Sequence, residues 1–223
     1  VGVVVSFTGV RGADRSGSEY QHGELVGDGE RGVWENPLLP GKYAFNRFAG
    51  SIIKVPTTNF ILKWESGQSG SDFDRNLKEI SLITKDAFEP TLPLSVVVHI
   101  DYKKAAKVIQ RFGDVQKLVE QTLDPMVSAY FKNTAQTKTL IELLQQRADI
   151  QGLALAEMKG KFNAYNLELQ EVLIGTPKSP VGNGQIENIL AQLRDRQIAR
   201  EQIDTYVEQE AAAVRERSLR EAA

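Results

Sequence analysis

Apolar and polar positions alternate in short runs through the first half of the chain and switch to helical spacing in the second. The most continuous apolar run covers 94–102, with Val96, Val97, Val98 and Ile100 at its centre. It predicts a buried strand. Before it, 32–35, 51–56, 59–64 and 80–84 predict further short strands. The apolar stretch 1–7, far too short to span a bilayer, reads either as a buried strand or as the tail of a membrane segment. Pro40-Gly41 signals a turn into an alternating segment carrying Tyr43 and Phe45. The breaker-rich stretch 89–93 leads into the central strand, because proline cannot donate to a ladder.

After the central run, Ala105, Val108, Ile109 and Phe112 mark one helix face, and Gly113 stops that helix. Asp114 is placed to cap a second helix. Its stripe is Val115, Leu118, Val119, Thr122, Met126, Val127 and Tyr130. Asp124-Pro125 interrupts it and predicts a kink or a restart, since Pro125 lacks an N–H. A third helix is expected from a cap at Thr137. Leu140, Leu143, Leu144, Arg147, Ile150, Leu153, Ala154 and Met158 form its stripe, with a break near Ala148-Asp149. Alternation then returns over 166–174, a closing strand. Strand, helices, strand reads as an α/β layer on a sheet.

Residues 175–184 are rich in Gly and Pro. From Gln185 to Ala223 there is neither, and Ala, Arg, Glu and Gln dominate, which predicts one long solvent-facing helix. Ile186, Ile189, Leu190 and Leu193 give a dense apolar face at its start. Ile198, Ile203, Val207, Val214 and Leu219 follow more sparsely. Ile203, Val207 and Val214 keep a heptad-like step, so the seam shifts phase after Leu193. Arg200 with Asp204 and Glu216 with Arg220 are i, i+4 pairs of opposite charge. The expected division is 1–93, a β-rich part; 94–176, an α/β part; 177–184, a linker; and 185–223, the start of a coiled-coil helix.

Charge and composition remove several function classes. The 27 Lys and Arg nearly balance the 29 Asp and Glu, and the net charge is -2. A nucleic-acid surface needs an excess of cations, so no nucleic-acid partner is expected. With no cysteine, thiolate metal sites, disulfides, cysteine nucleophiles and palmitoylation are excluded within the chain. The glycines of 27–32 read as turns, because no P-loop Lys-Ser/Thr follows them. His99 and His22 are too few for a metal site. An enzyme would have to use His99 or the loop pair Asp72 and Asp74, and neither has a partner in the pattern. The reading is of no catalytic residue, no metal and no cofactor.

Several stretches taken in order resemble a known family. Gly29-Glu30-Arg31-Gly32-Val33-Trp34 and 39–46 are similar to the first half of an SPFH or band 7 domain, the domain of stomatins, prohibitins and flotillins. Ile83-Thr84-Lys85-Asp86 followed by 96–102 resembles that family's next hairpin. The helices, closing strand and long charged helix follow in the same order. The nearest likeness is to bacterial flotillin-like proteins. The resemblance implies an α+β fold and a membrane-associated scaffold that assembles into rings or cages. Such assemblies organise membrane microdomains, or enclose a membrane protease in the prohibitin manner. The implied partners are further copies of the chain, the lipid bilayer and a membrane protease or other membrane protein.

Animal flotillins are held partly by acylated cysteines, which this chain lacks. The expected anchor at the cell membrane is therefore a segment upstream of Val1, with the cytoplasmic side favoured. Val3, Val5, Phe7, Phe48 and Ile53 are the expected membrane-proximal residues, with Phe45 and Ile52 as further interfacial candidates. For Phe45, Phe48, Ile52 and Ile53 the alternative is burial in the sheet core. Ile186, Leu190, Leu193, Ile203, Val207 and Val214 are the expected oligomer contacts.

Overall fold

The computed structural model describes residues 1–18, 24–67, 73–180 and 184–221, with side chains of the last helix described through 212. The chain forms two compact units, Val1–Pro177 and Lys178–Ala223.

The first unit is α+β. Strands β1 (Gly2–Ser6), β2 (Leu25–Val26), β3 (Gly32–Trp34) and β4 (Gly50–Lys54) form one sheet in the order β2-β3-β1-β4. β1 runs antiparallel to both β3 and β4. Gly32 sits at φ 139, and a Cβ there would lie 2.6 Å from the Glu24 carbonyl oxygen. Only glycine satisfies both conditions, and β2 can then lie against β3.

A second sheet joins β5 (Phe60–Trp64), β8 (Leu94–His99) and β9 (Glu168–Ile174), all antiparallel, with β8 central. Leu94, Val96 and Val98 are buried, and Ser95, Val97 and His99 are half-buried. That alternation is the pleat expressed in a strand covered on one side. Between them, β6 (Ile80–Ser81) and β7 (Thr91–Leu92) pair as a short ribbon. β7 lies within 89–93, where a break was expected. The paired strand is shorter than the predicted 80–84. Beyond Ser81 only single amide bonds, Leu82 to the Pro90 carbonyl and Thr84 to the Phe88 carbonyl, carry the hairpin on in the same register, and the Thr84 hydroxyl closes its end by bonding Phe88. The alternating segment at Tyr43 and Phe45 is irregular rather than a strand.

The helices are α1 (Ala105–Phe112), α2 (Val115–Leu118), a π-helical turn Val119–Leu123, α3 (Asp124–Gln136), α4 (Leu140–Gln145) and α5 (Arg147–Ala164). Gly113 ends α1 at φ 79, with its amide on the Ile109 carbonyl at 2.7 Å. The Asp114 side chain accepts from the Gln116 amide, as its cap position predicts. At Asp124-Pro125 the helix neither kinks off nor restarts. The backbone stays helical from α2 through the π turn into α3, and the wider turn, closed by the Asp124 amide on the Val119 carbonyl, accommodates Pro125. Beyond that turn the buried positions become Leu123, Val127, Phe131 and Ala135.

The cap expected at Thr137 belongs to Thr139. Thr137 closes α3, its hydroxyl donating to the Thr134 carbonyl at 2.8 Å. Thr139 and Glu142 form a reciprocal capping box that opens α4. The Asp86 carboxylate also accepts from the Leu140 amide, favourably placed at a helix N-terminus. The break expected near Ala148 falls at Gln146. In α5 the buried face is Ile150, Ala154, Met158 and Phe162, whereas Leu153 is exposed and Arg147 points to solvent.

One contiguous core joins both sheets and the helices, from Val3 and Leu25 through Leu62, Trp64 and Val96 to Phe131 and Phe162. Trp64 is fully buried, and its indole N–H donates to Asp124 Oδ1 at 2.7 Å. The second unit contains α6 (Gln185–Glu221), 37 residues long. Ser179 caps its start: the hydroxyl accepts from the Ile186 amide at 2.9 Å, and the Ser179 amide donates to Glu187.

Candidate membrane and oligomer surfaces

The expected membrane-proximal residues fall into two environments. Val3 is fully buried in the core, and Val5 and Ile53 pack against it. These three stabilise the fold, so a charge at Ile53 would test folding before it tested lipid contact. Phe7 and Phe48 are exposed, Phe48 at 94 %. They sit at the same end of the β1–β4 pair, where the Phe7 amide donates to the Ala49 carbonyl at 2.8 Å. Phe45 is half-buried and Ile52 is exposed. The other end of β1, at Val1, is about 20 Å away at strand rise.

At that other end lies an apolar groove of about 590 Å³. Its floor is the outer face of the sheet at Gly2, Ile52 and Lys54, and its wall is the loop carrying Leu38, Leu39 and Tyr43. The Tyr43 hydroxyl donates to the Leu39 carbonyl at 3.0 Å, which holds the wall closed on itself. A Cβ at Gly2 would come within 2.8 Å of the Ile52 side chain, so the floor is tight there. Leu39 and Tyr43 remain about half exposed, an arrangement that marks contact surfaces more often than isolated apolar residues do. The groove joins residues far apart in sequence and has no periodic signature.

In α6, Ile186 is buried, Leu190 and Leu193 are half-buried, and Ile203 and Val207 are exposed. The side chains of Val214, Glu216, Leu219 and Arg220 lie outside the described residues. Among the described residues no ion pair joins Arg200 to Asp204. Hydrogen bonds from Ser179 hold the Glu187 carboxyl below its ordinary range. That favours the charged form beside the helix N-terminus.

His99 is half-buried at the end of β8, opposite Glu168, whose carboxylate pairs with Lys104 Nζ at 3.2 Å. Asp74 is buried, and Asp72 and His22 lie outside the described residues. Among the described residues, no group of three or more metal-ligating side chains comes together. No helix among them is long and apolar enough to cross a membrane.

A β-rich half, an α/β half sharing its core and a long polar helix define an α+β domain with a helical extension. A model of the SPFH domain / Band 7 family matches residues 1–217, and the chain belongs to that family. It is a family of membrane-associated scaffolds that are generally not enzymes. The search of curated proteins found no match.

Proposed function

We propose that the chain is a subunit of a homo-oligomeric scaffold at the cell membrane, a ring or cage that organises a membrane microdomain. The observation that carries this reading is α6: over its described length beyond Leu193, its apolar side chains are exposed. A polar helix that buries so little gains little from its own chain, and helix nucleation is costly. Lateral packing against the same helix of neighbouring subunits would cover Ile203 and Val207 and let opposite charges meet across the seam. The β-rich part, where the Phe7 ring is exposed, is the part that reaches the bilayer in this reading.

The test is the mass and location of the whole chain in cells. A membrane-fraction particle many subunits in size, seen by sedimentation and electron microscopy, is the expected result. A monomer confined to the soluble fraction would overturn the proposal.

A further inference from the structure

β4 is the outer strand of its sheet. Val1 and Val55 exchange both backbone hydrogen bonds at 2.9 Å, and Phe7 donates to Ala49 at 2.8 Å. Antiparallel partners alternate between bonded and non-bonded pairs. Residues 49, 51, 53 and 55 therefore face β1, and the backbone groups of Gly50, Ile52 and Lys54 face away. Gly50 is buried, with the Phe45 ring 3.1 Å from where its Cβ would be. Ile52 and Lys54 are exposed, and their outward N–H and C=O groups have no partner among the described residues. The apolar groove lies on the sheet face at this edge. At the far end of the same strand stands Phe48, on a turn fixed by bonds from the Phe48 and Ala49 amides to Asn46.

We infer that the edge and groove are filled by a second copy of the chain, docked about a twofold axis with β4 antiparallel to β4 and Ile52 opposite Lys54. The inference rests on the homo-oligomer reading and names one contact within it. Open backbone groups two residues apart are matched by an extended polypeptide, not by a lipid chain or a helix face. In this register the open groups of Ile52 and Lys54 all find partners. The covered Gly50 then faces Pro56, which has no N–H, so the ladder ends where the edge closes. Lys54 faces Ile52 rather than another Lys54, which avoids a like-charge pair. Its aliphatic stem covers the isoleucine. In the same register Phe48 falls opposite Thr58 of the second copy, two residues past Pro56, and its exposed ring reaches back into that copy's groove at Pro56. Because knob and groove lie at opposite ends of one strand, the twofold satisfies both at once.

The chain has no cysteine, so introduced thiols are the only ones present. Ile52→Cys and Lys54→Cys proteins are mixed in equal amounts and mildly oxidised. Bonded partners across the edge lie about 5.5 Å apart at Cα, within disulfide reach, whereas like positions are about 7–8 Å apart. The mixed disulfide should form about tenfold faster than either homodimer. Equal rates would overturn the register. Adding Phe48→Ser to both should slow cross-linking and leave binding to phosphatidylglycerol–phosphatidylcholine vesicles unchanged. Unchanged cross-linking with lost vesicle binding would put the ring in the bilayer and overturn its place in the groove. Particle mass is read on the same samples. A large particle without the mixed disulfide sinks this contact alone, and a monomer sinks the scaffold reading with it.

Discussion

β8 and α6 are built from the same aliphatic residues and use them in opposite ways. Val96 and Val98 are fully buried in the sheet of their own chain, whereas Ile203 and Val207 are about 60 % exposed. In β8 each apolar side chain meets a partner supplied by the same unit, so the core is complete when the chain folds. In α6 the apolar side chains of Ile198, Ile203 and Val207 stay exposed, and in the proposed assembly neighbouring subunits cover them. In that reading single-chain folding and assembly fall to different stretches, and substitutions in the two should have separable effects.

The largest effect is expected in the core. Trp64→Ala removes a fully buried indole and the shorter of two hydrogen bonds to Asp124 Oδ1, leaving only the Ser128 hydroxyl. A truncation of this kind costs about 3–5 kcal/mol, a large share of a typical domain's ~5–15 kcal/mol. Urea unfolding of the Val1–Pro177 unit should show it as a lower midpoint. A loss below about 1 kcal/mol would mean that the core is less committed to the single chain than its burial indicates.

A smaller effect is expected where a local device, rather than the core, sets structure. Thr139→Ala should cost about 1 kcal/mol, the usual worth of an N-cap. The Glu142 carboxyl is held below its ordinary value of 4.5 by the Thr139 amide first and the Thr139 hydroxyl second. A depressed carboxyl stabilises the fold above its unfolded value and loses that contribution as pH falls through the folded one. Glu142→Ala should therefore differ from the parent at neutral pH and converge with it as pH drops below about 4.5. A difference in unfolding midpoint that stays constant to pH 3 would show that the charge of Glu142 is not what the box uses.

The central strand, the long helix and the Gly113 stop were legible because their signals are local: alternation, absence of breakers, a single glycine. Asp114 was legible as a cap for the same reason. Thr139 was legible in principle, since Glu142 follows it at capping-box spacing, but Thr137 stood closer to the preceding helix and took its place. The π turn was not legible. Pro125 announces a discontinuity without saying whether the helix kinks or widens, and the change of buried phase to Leu123, Val127 and Phe131 follows from that choice. Least legible were the groove and the open edge. Both depend on β1 pairing with β3 and β4, which brings Gly2, Leu38 and Ile52 together across fifty residues. Nothing in the spacing of apolar residues shows that Ile53 turns inward while Ile52 stays exposed until the sheet order is known.

The smallest effect on folding, and the sharpest test of the contrast, comes from α6. Ile203→Asp with Val207→Asp puts two carboxylates on positions that are already solvated, so neither creates a cavity nor buries a charge. Exposed substitutions of this kind move stability by no more than about 0.5 kcal/mol, and the unfolding midpoint of the Val1–Pro177 unit should not change. Particle size should change, because in a seam each carboxylate would face apolar side chains and its own copies across the contact, where desolvation and like-charge repulsion add at every repeat. The expected outcome is an intact compact unit with assembly shifted to small species. An unchanged particle mass would remove this seam from the assembly. A marked fall in the midpoint would show that α6 supports the fold of its own chain, and the division of labour between β8 and α6 would no longer hold.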